Sequence, residues 1–598
     1  MHNRKRLAFY TFFEKSGNVK NYVIYYLKEL YKISDSVLVI VNGYISEKGK
    51  QCFIDNGFEF IVRENKGFDF SAWKSAIDFK GWNYVKKFDE LILCNCSCYG
   101  PFFPFSEVFD KMEEQSCDFW GLYRNPQIEN ILYAHLQSYF LVINKNLLNS
   151  IIFKKYWEEL SVAKNWNEAV KQETLFTKYF EDNGFFSSSY INNFRYSELT
   201  ENPTILFAPQ LMMEYRFPLL KRKVFSENYG YFLENSLVNQ AQICLDFIKF
   251  KTKYPVNYIY EDILNTMEGH VIRRILHDVY ALNDKNMIIS TYSKNKVALI
   301  VYSYFEDMVD DDIKYMLSMP VNSGVFIVVI SEKLKKIWNN KKQYFHDYDF
   351  EIRIQENRGR NENAYWLTCR DVIQKYEFIC VVHDKKTPSA VPPVKGYNFN
   401  IHCWDNLLKS RGYVSEVLSI FKKEPRLGLL MPPNLYFSDW RRFIFNNEWG
   451  KNLKIGYELY KKLNLHIPFD HAPDAPWGAM FWLRGKAMHP FYRYSWQIND
   501  FPKEPIPSDG TILHAMERMY PMIVQEGGFF SAWVFPISNI GILVDNMNEC
   551  IKERNQINYI KSQEPPFKRG VKFCFFEFLK ALKIFLKKHV CQISQRKQ

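Results

Sequence analysis

Glu64-Asn65-Lys66-Gly67-Phe68-Asp69, with Ala72-Trp73 just beyond, returns nearly 300 residues later as Glu356-Asn357-Arg358-Gly359-Arg360-Asn361 with Ala364-Tyr365-Trp366. The flanks return with it. Ala8, in the apolar run Leu7-Tyr10, precedes Asn65 by 57 residues, and Ala298, in the run Val297-Tyr302, precedes Asn357 by 59. A helical stretch follows each motif, and then an apolar run: Phe88-Asp89-Glu90-Leu91-Ile92-Leu93-Cys94-Asn95 and Tyr376-Glu377-Phe378-Ile379-Cys380-Val381-Val382-His383. Four landmarks in one order at nearly equal offsets indicate a duplicated unit, with a period far too long for a solenoid.

Within the first copy the periodicity alternates. It predicts strands over 7–13, 36–42 and 58–62, and helices over 19–30 and 47–56. Strand and helix in alternation make a mostly parallel sheet covered on both faces, so the fold class is α/β, Rossmann-like, in two tandem domains. The boundaries read as 1–225 for copy one, 226–295 for a helical connector apolar at helical intervals, 296–545 for copy two and 546–598 for a basic amphipathic tail. Ligands of such sheets sit beyond the carboxyl ends of the strands, where Asn65-Gly67-Asp69 and Asn95-Ser97 both fall.

At 598 residues with 47% hydrophobic and 17% aromatic content, the chain exceeds one core and has ample material for two. The net charge of +12 suits an anionic partner such as a nucleotide or a phospholipid surface, and equally an ordinary basic enzyme. No basic and aromatic cluster of a recognisable nucleic-acid module is present, so no nucleic-acid partner is expected. The 12 cysteines lack C-x-x-C pairs, and Cys94, Cys96 and Cys98 alternate along a strand, a poor arrangement for structural zinc. His135 and His383 are not spaced as zinc ligands either. No secretory leader and no apolar run of membrane-spanning length is read, so a cytoplasmic chain with reduced thiols is expected.

Several charged groups have competing readings. Asp310-Asp311-Asp312 opens the first helix of copy two, where acids favour the helix dipole more than they suggest a metal. Lys221-Arg222-Lys223 is either a solvated basic turn or a contact for diphosphate or lipid phosphate. Arg358 and Arg360, flanking Gly359, offer guanidinium forks to a phosphate. Asp69, at a helix start, either caps that helix or binds a hydroxyl.

The first half resembles the rhamnan synthesis protein F family of bacterial polysaccharide glycosyltransferases. The resemblance is carried by Asn42-Gly43, Asn65-Lys66-Gly67-Phe68-Asp69-Phe70, Ala72-Trp73-Lys74, Tyr99-Gly100-Pro101, Phe119-Trp120-Gly121 and His135-Leu136-Gln137-Ser138-Tyr139-Phe140. In the second half Asn357-Arg358-Gly359-Arg360, His383-Asp384-Lys385-Lys386-Thr387, Gly478-Ala479-Met480-Phe481-Trp482 and Asp509-Gly510-Thr511 continue it. It implies two GT-A-like domains that transfer a sugar, typically rhamnose, from a nucleotide-activated donor such as dTDP-rhamnose to a lipid-linked cell-wall or O-antigen polysaccharide at the cytoplasmic face of the plasma membrane. The donor-binding candidates it implies are Asn65, Gly67, Asp69, Asn95, Ser97, Asn357, Arg358, Arg360, His383 and Lys385. In GT-A enzymes a strand-end carboxylate holds Mg²⁺ or Mn²⁺, which neutralises the departing diphosphate.

Two departures from the family pattern bear on that ion. Cys96 stands where an Asp is usual, and a thiol suits a hard ion poorly; Asn361 likewise replaces a common Asp. Asp384, opposite Cys96 in the repeat register, is the metal candidate. Copy one is then metal-independent, or a degenerate scaffold, or has exchanged roles with copy two. An inverting transferase needs a general base near the acceptor hydroxyl. Glu173 in copy one, and Asp509 and Glu517 in copy two, are the candidates, each equally readable as a solvated helix carboxylate.

The tail completes the reading. Over 568–588, Lys572, Glu577, Lys580, Lys583 and Lys587 share one broad helical face, while Phe575, Phe578, Leu579, Leu582, Phe585 and Leu586 cover most of the rest. Such a helix lies in the plane of an anionic inner leaflet, or docks on the second domain. The rival from another class is a non-catalytic polysaccharide-assembly scaffold descended from such enzymes.

Overall fold

The computed structural model describes residues 4–563 apart from 128–132, 193–194, 197, 228, 237–239, 286–295, 387–390 and 443–447. The amphipathic segment expected over 568–588 lies outside the described residues. The chain divides into two units: the first takes 1–279, 464–470 and 522–531, and the second takes 280–463, 471–521 and the described residues from 532 on. The helices Gln240–Lys251, Asn257–Thr266 and Gly269–Leu276, within the stretch read as a connector, fall in the first unit.

The strands are β1 (Arg6–Phe12), β2 (Ser36–Asn42), β3 (Glu59–Arg63), β4 (Glu90–Asn95), β5 (Cys98–Tyr99), β6 (Phe119–Asn125), β7 (His135–Leu136), β8 (Phe140–Asn144), β9 (Ser187–Ile191) and β10 (Leu220–Lys221). They continue with β11 (Val279–Leu282), β12 (Val297–Tyr302), β13 (Gly324–Val329), β14 (Asp349–Ile354), β15 (Phe378–His383), β16 (Leu427–Met431), β17 (Phe481–Arg484) and β18 (Phe530–Pro536). The first large sheet runs β3-β2-β1-β4-β8-β6-β7, with β9 also on β6; the second runs β11-β18-β16-β17-β15-β12-β13-β14.

The two sheets share one inner plan. In each, four consecutive strands, β1 to β4 and β12 to β15, are parallel in the order third, second, first, fourth. An antiparallel strand, β8 or β17, then separates the fourth from an earlier one, β6 or β16. The centre of each sheet is apolar on both faces, as covered parallel strands require: β2, β4, β12, β13 and β15 are buried almost throughout. Over one face of the first sheet, Phe70 and Trp73 from helix Phe68–Lys80 pack with Trp157, Phe176 and Phe180 from helices Ile151–Glu159 and Trp166–Asp182.

Local backbone repeats as well. Gly67 (φ 75°) and Phe68 (φ 54°) are both left-handed, and so are Gly359 (φ 73°) and Arg360 (φ 48°). Each pair turns the chain from the third strand into the next helix. A side chain at Gly67 would meet Ser71 Oγ at 2.0 Å and Val162 Cγ1 at 2.9 Å, and one at Gly359 would meet Phe501 Cβ at 2.7 Å. Gly57 (φ 70°) has nothing within 4 Å of that position. Gly67→Ala and Gly359→Ala are therefore expected to lose about 2–4 kcal/mol in urea titrations, left-handed strain plus overlap, and Gly57→Ala about 1–2 kcal/mol, strain alone. Equal losses at all three would show that the close approach does not matter.

Candidate functional site

In the first unit, side chains from five segments meet beyond the carboxyl ends of β3 and β4. Asn95, the last residue of β4, donates from Nδ2 to Asp69 Oδ2 at 2.8 Å and accepts from Ser97 Oγ at 2.6 Å and Ser97 N at 3.1 Å. Asp69 sits in the first turn of its helix but is bonded by Asn95, so it acts across the strand end and not as a cap. Asn65 lies exposed at the preceding turn, and the buried Gly67 lets the backbone close on Ser71. Glu173, on helix Trp166–Asp182, accepts Ser138 N at 2.6 Å through Oε1, and Thr177 one turn on accepts Leu136 N at 2.9 Å. Helix and strand entry are thereby fixed together.

Charge concentrates there. Burial, moderated by the Asn95 hydrogen bond and reinforced by the negative Glu173, raises the Asp69 pKa to about 6. Lys221 arrives from far along the chain, because β10 pairs with β5 and sets Lys221 opposite Cys98. Its Nζ lies 5.1 Å from the centre of the Tyr139 ring, and burial lowers its pKa while Glu173 supports its charge.

The second unit repeats this at matching positions. Thr11 and Asn95 are the last paired residues of β1 and β4, and Cys96 N then bonds Thr11 O at 3.0 Å; Tyr302 and His383 end β12 and β15, and Asp384 N bonds Tyr302 O at 3.3 Å. Asp384 thus occupies the position Cys96 holds. Glu517, on helix Ile512–Glu526, accepts the amide of Gly478 before β17 as Glu173 accepts that of Ser138 before β8. Asp509 lies ahead of that helix, where Asn452 Nδ2 donates to it at 2.6 Å; of the two acids named for copy two, Glu517 stands where Glu173 does. Lys385 places its ammonium 4.1 Å from the centre of the Phe399 ring, within the field of Glu517.

Other named residues have protein partners. Arg358 donates to Phe501 O at 2.6 Å and Asn499 Oδ1 at 2.9 Å, and Arg360 to Glu504 at 2.7 Å, so both forks serve the loop over 499–504. His383 Nε2 lies 2.7 Å from Gly478 O, and burial lowers its pKa to about 4, keeping it neutral. Asn357 is exposed. Arg222, read as part of a basic turn, is held at 2.8 Å by the buried Asp262.

The strand ends are poorly suited to a divalent ion, which takes several accessible hard oxygens. Burial pushes the Cys96 thiol up to about 11, so it stays protonated between Phe13 N and Phe13 O. Asp384 Oδ2 is taken up by Tyr304 N at 2.7 Å, Phe305 N at 2.8 Å and Ser303 Oγ. Its Oδ1 is buried without a partner among the described residues, as is Asp312 Oδ2. Burial, and the neighbouring Asp384, hold Asp312 well above the usual carboxylate range, and burial raises Asp384 to about 7. Two buried acids in each other's field favour the neutral form of at least one of them.

Ser138 and Tyr139, which bring an amide to Glu173 and a ring to Lys221, carry no signal in the sequence beyond the motif over 135–140. Glu362 is buried against Trp366 Nε1 at 2.9 Å and the Tyr520 hydroxyl, with its pKa raised by burial to about 8.

The family model for rhamnan synthesis protein F matches residues 37–529. The uncharacterized protein y4gN of Sinorhizobium fredii is 23% identical over 154 residues, 26% of this chain and 40% of the relative's length, so the chain spans less than half of that relative. Among solved structures, the glycosyltransferase GlyE of Streptococcus pneumoniae TIGR4 aligns over 66% of this chain and 90% of its own at 11% identity and TM-score 0.23. Glucosyl-3-phosphoglycerate synthase of Mycobacterium tuberculosis, with Mn²⁺, UDP-glucose and phosphoglyceric acid, aligns over 24% of this chain and 58% of its own at 11% identity and TM-score 0.19.

Proposed function

The chain belongs to the rhamnan synthesis protein F family, and on that premise we propose that it is a glycosyltransferase of two tandem GT-A-like domains. It moves a sugar, rhamnose from dTDP-rhamnose in the first instance, onto a lipid-linked polysaccharide at the cytoplasmic membrane face, held there by the basic tail over 568–588. The observation that carries the reading is the pair of matching strand-end sites, each with a helix glutamate bonded to a loop amide beside a lysine. In the first unit the closed turn at Gly67 admits the donor, and Asp69 accepts from one of its hydroxyls. Glu173 takes the proton of the acceptor hydroxyl as that oxygen attacks the anomeric carbon and the nucleoside diphosphate departs. Glu517 has the same role in the second unit.

The test is transfer from a panel of nucleotide sugars to lipid-linked saccharides by the full chain, alongside donor calorimetry. A chain that binds no donor and transfers no sugar is a scaffold, the alternative that Cys96 favours.

The Asp69 carboxylate adds a pH prediction. Donor affinity in the first unit is expected to be full near neutrality and to fall as pH drops through about 6, where Asp69 takes up a proton. For stability the sign is opposite. A raised carboxylate pKa favours the fold at pH values below the unfolded pKa, and that advantage is lost as pH rises through about 6. Asp69→Asn is thus expected to flatten the pH dependence of donor binding and to raise, not lower, the urea midpoint at neutral pH. A wild-type binding curve that is flat across this range would remove Asp69 from the donor site.

A further inference from the structure

We propose that Lys221 in the first unit and Lys385 in the second are the fixed cations that hold a donor's diphosphate, so that both sites bind nucleoside diphosphates without a divalent ion. The inference deepens the glycosyltransferase reading and rests on it.

Three observations carry it. The positions where a metal ligand would stand offer few oxygens: Cys96 is sealed between backbone groups of Phe13, and Asp384 spends Oδ2 on the amides of Tyr304 and Phe305, leaving only the buried Oδ1. Each unit nevertheless delivers a lysine to the same strand end. Lys221 comes through the β10–β5 pairing, with Arg222 N bonding Ser97 O at 2.9 Å, and Lys385 follows Asp384 directly, its amide held by Asn400 Oδ1 at 3.0 Å. Finally, the neighbouring cations are paired and these two are not. Arg222 pairs with Asp262 at 2.8 Å, Lys223 with Glu227 at 3.1 Å and Lys386 with Asp307. Lys221 and Lys385 make no ion pair with any described residue and instead lie over aromatic rings, Tyr139 at 5.1 Å and Phe399 at 4.1 Å.

A half-buried ammonium braced on a ring beside a glutamate is a preorganised site for a dianion. It stabilises the charge that builds on the leaving diphosphate without reorganising water. Burial lowers both lysine pKa values from 10.5, and Glu173 and Glu517 oppose that shift.

The experiment is equilibrium binding of UDP, dTDP and GDP to the full chain, in EDTA and in Mn²⁺, for wild type, Lys221→Met, Lys385→Met and the Lys→Arg versions of each. Methionine keeps the stem on the ring, and arginine keeps the charge. The expected result is binding that EDTA does not weaken, a roughly 10–100-fold loss in at least one methionine variant, and retention in the matching arginine variant. Binding that requires Mn²⁺ and ignores both methionine changes would overturn the lysine proposal while leaving the glycosyltransferase reading in place. No binding of any nucleotide in either condition would overturn both.

Discussion

Glu173→Gln is expected to lower sugar transfer by the first unit roughly 10²–10⁴-fold while leaving the unfolding midpoint close to wild type. Glutamine keeps an oxygen to accept the Ser138 amide, now at 2.6 Å from Oε1, and Thr177 continues to hold Leu136 N at 2.9 Å. The strand entry therefore stays in place, and what disappears is the negative charge and the ability to take a proton. Oε2 has no partner among the described residues, which leaves it available to an acceptor hydroxyl. A second readout separates this from a general disturbance. Glu173 helps raise the Asp69 pKa to about 6, so removing its charge is expected to shift the pH break in donor binding downward. Glu517→Gln, made in parallel, reports on the second unit, since Glu517 holds the equivalent amide at Gly478. Loss in one variant identifies the working unit, and loss of about half in each indicates two. Undiminished turnover in the double variant would eliminate these glutamates as the base.

The duplication was legible because it lies in signals local along the chain. The glycine turns at Gly67 and Gly359 need left-handed backbone, and the apolar runs at 36–42 and 90–95 are long enough to be buried parallel strands. The expected strand over 36–42 is the observed Ser36–Asn42, and the others differ by a residue or two at their ends, where hydrogen bonding and not periodicity decides. The site was less legible. Lys221 reaches it through a two-residue strand paired with another about 120 residues away, and neither carries a periodic pattern. Whether Arg222 or Lys221 is the available cation depends on Asp262, in a segment that read only as helical connector. Asp384 has the right residue type at the right strand end, yet its direction is set by the amides of Tyr304 and Phe305, which sequence spacing does not reveal. Long-range pairing and side-chain direction are the two quantities that periodicity lacks.

Asp262→Ala is expected to cost roughly 3–5 kcal/mol of stability, the largest single loss among the substitutions considered. Asp262 is 1% exposed on helix Asn257–Thr266 and is the meeting point of three donors. Lys20 Nζ reaches Oδ1 at 2.7 Å, Arg222 Nε reaches Oδ2 at 2.8 Å, and the Tyr99 hydroxyl reaches Oδ2 at 2.6 Å. Burial alone would raise its pKa, but Arg222 and Lys20 outweigh burial and hold it below the usual value. A depressed carboxylate pKa gives stability that is present above the unfolded pKa and lost as pH falls through the folded one, so at neutral pH the contribution is complete. Alanine leaves the Arg222 guanidinium and the Tyr99 phenol without that acceptor and Lys20 with only Glu14 at 3.5 Å, which is the costly way to break a buried pair. Glu261→Ala on the same helix, which removes an exposed bond to Asn21 Nδ2, is the control and is expected to cost less than about 1 kcal/mol. Urea titration measures both, and a loss at Asp262 no larger than at Glu261 would refute the account. Adding Arg222→Met to Asp262→Ala is expected to restore part of the loss, because the deficit comes mainly from stranded charge and not from missing contacts. The effect also reaches the site. Arg222 anchors the strand that presents Lys221, so Asp262→Ala is expected to weaken nucleoside diphosphate binding even under conditions where the chain remains folded.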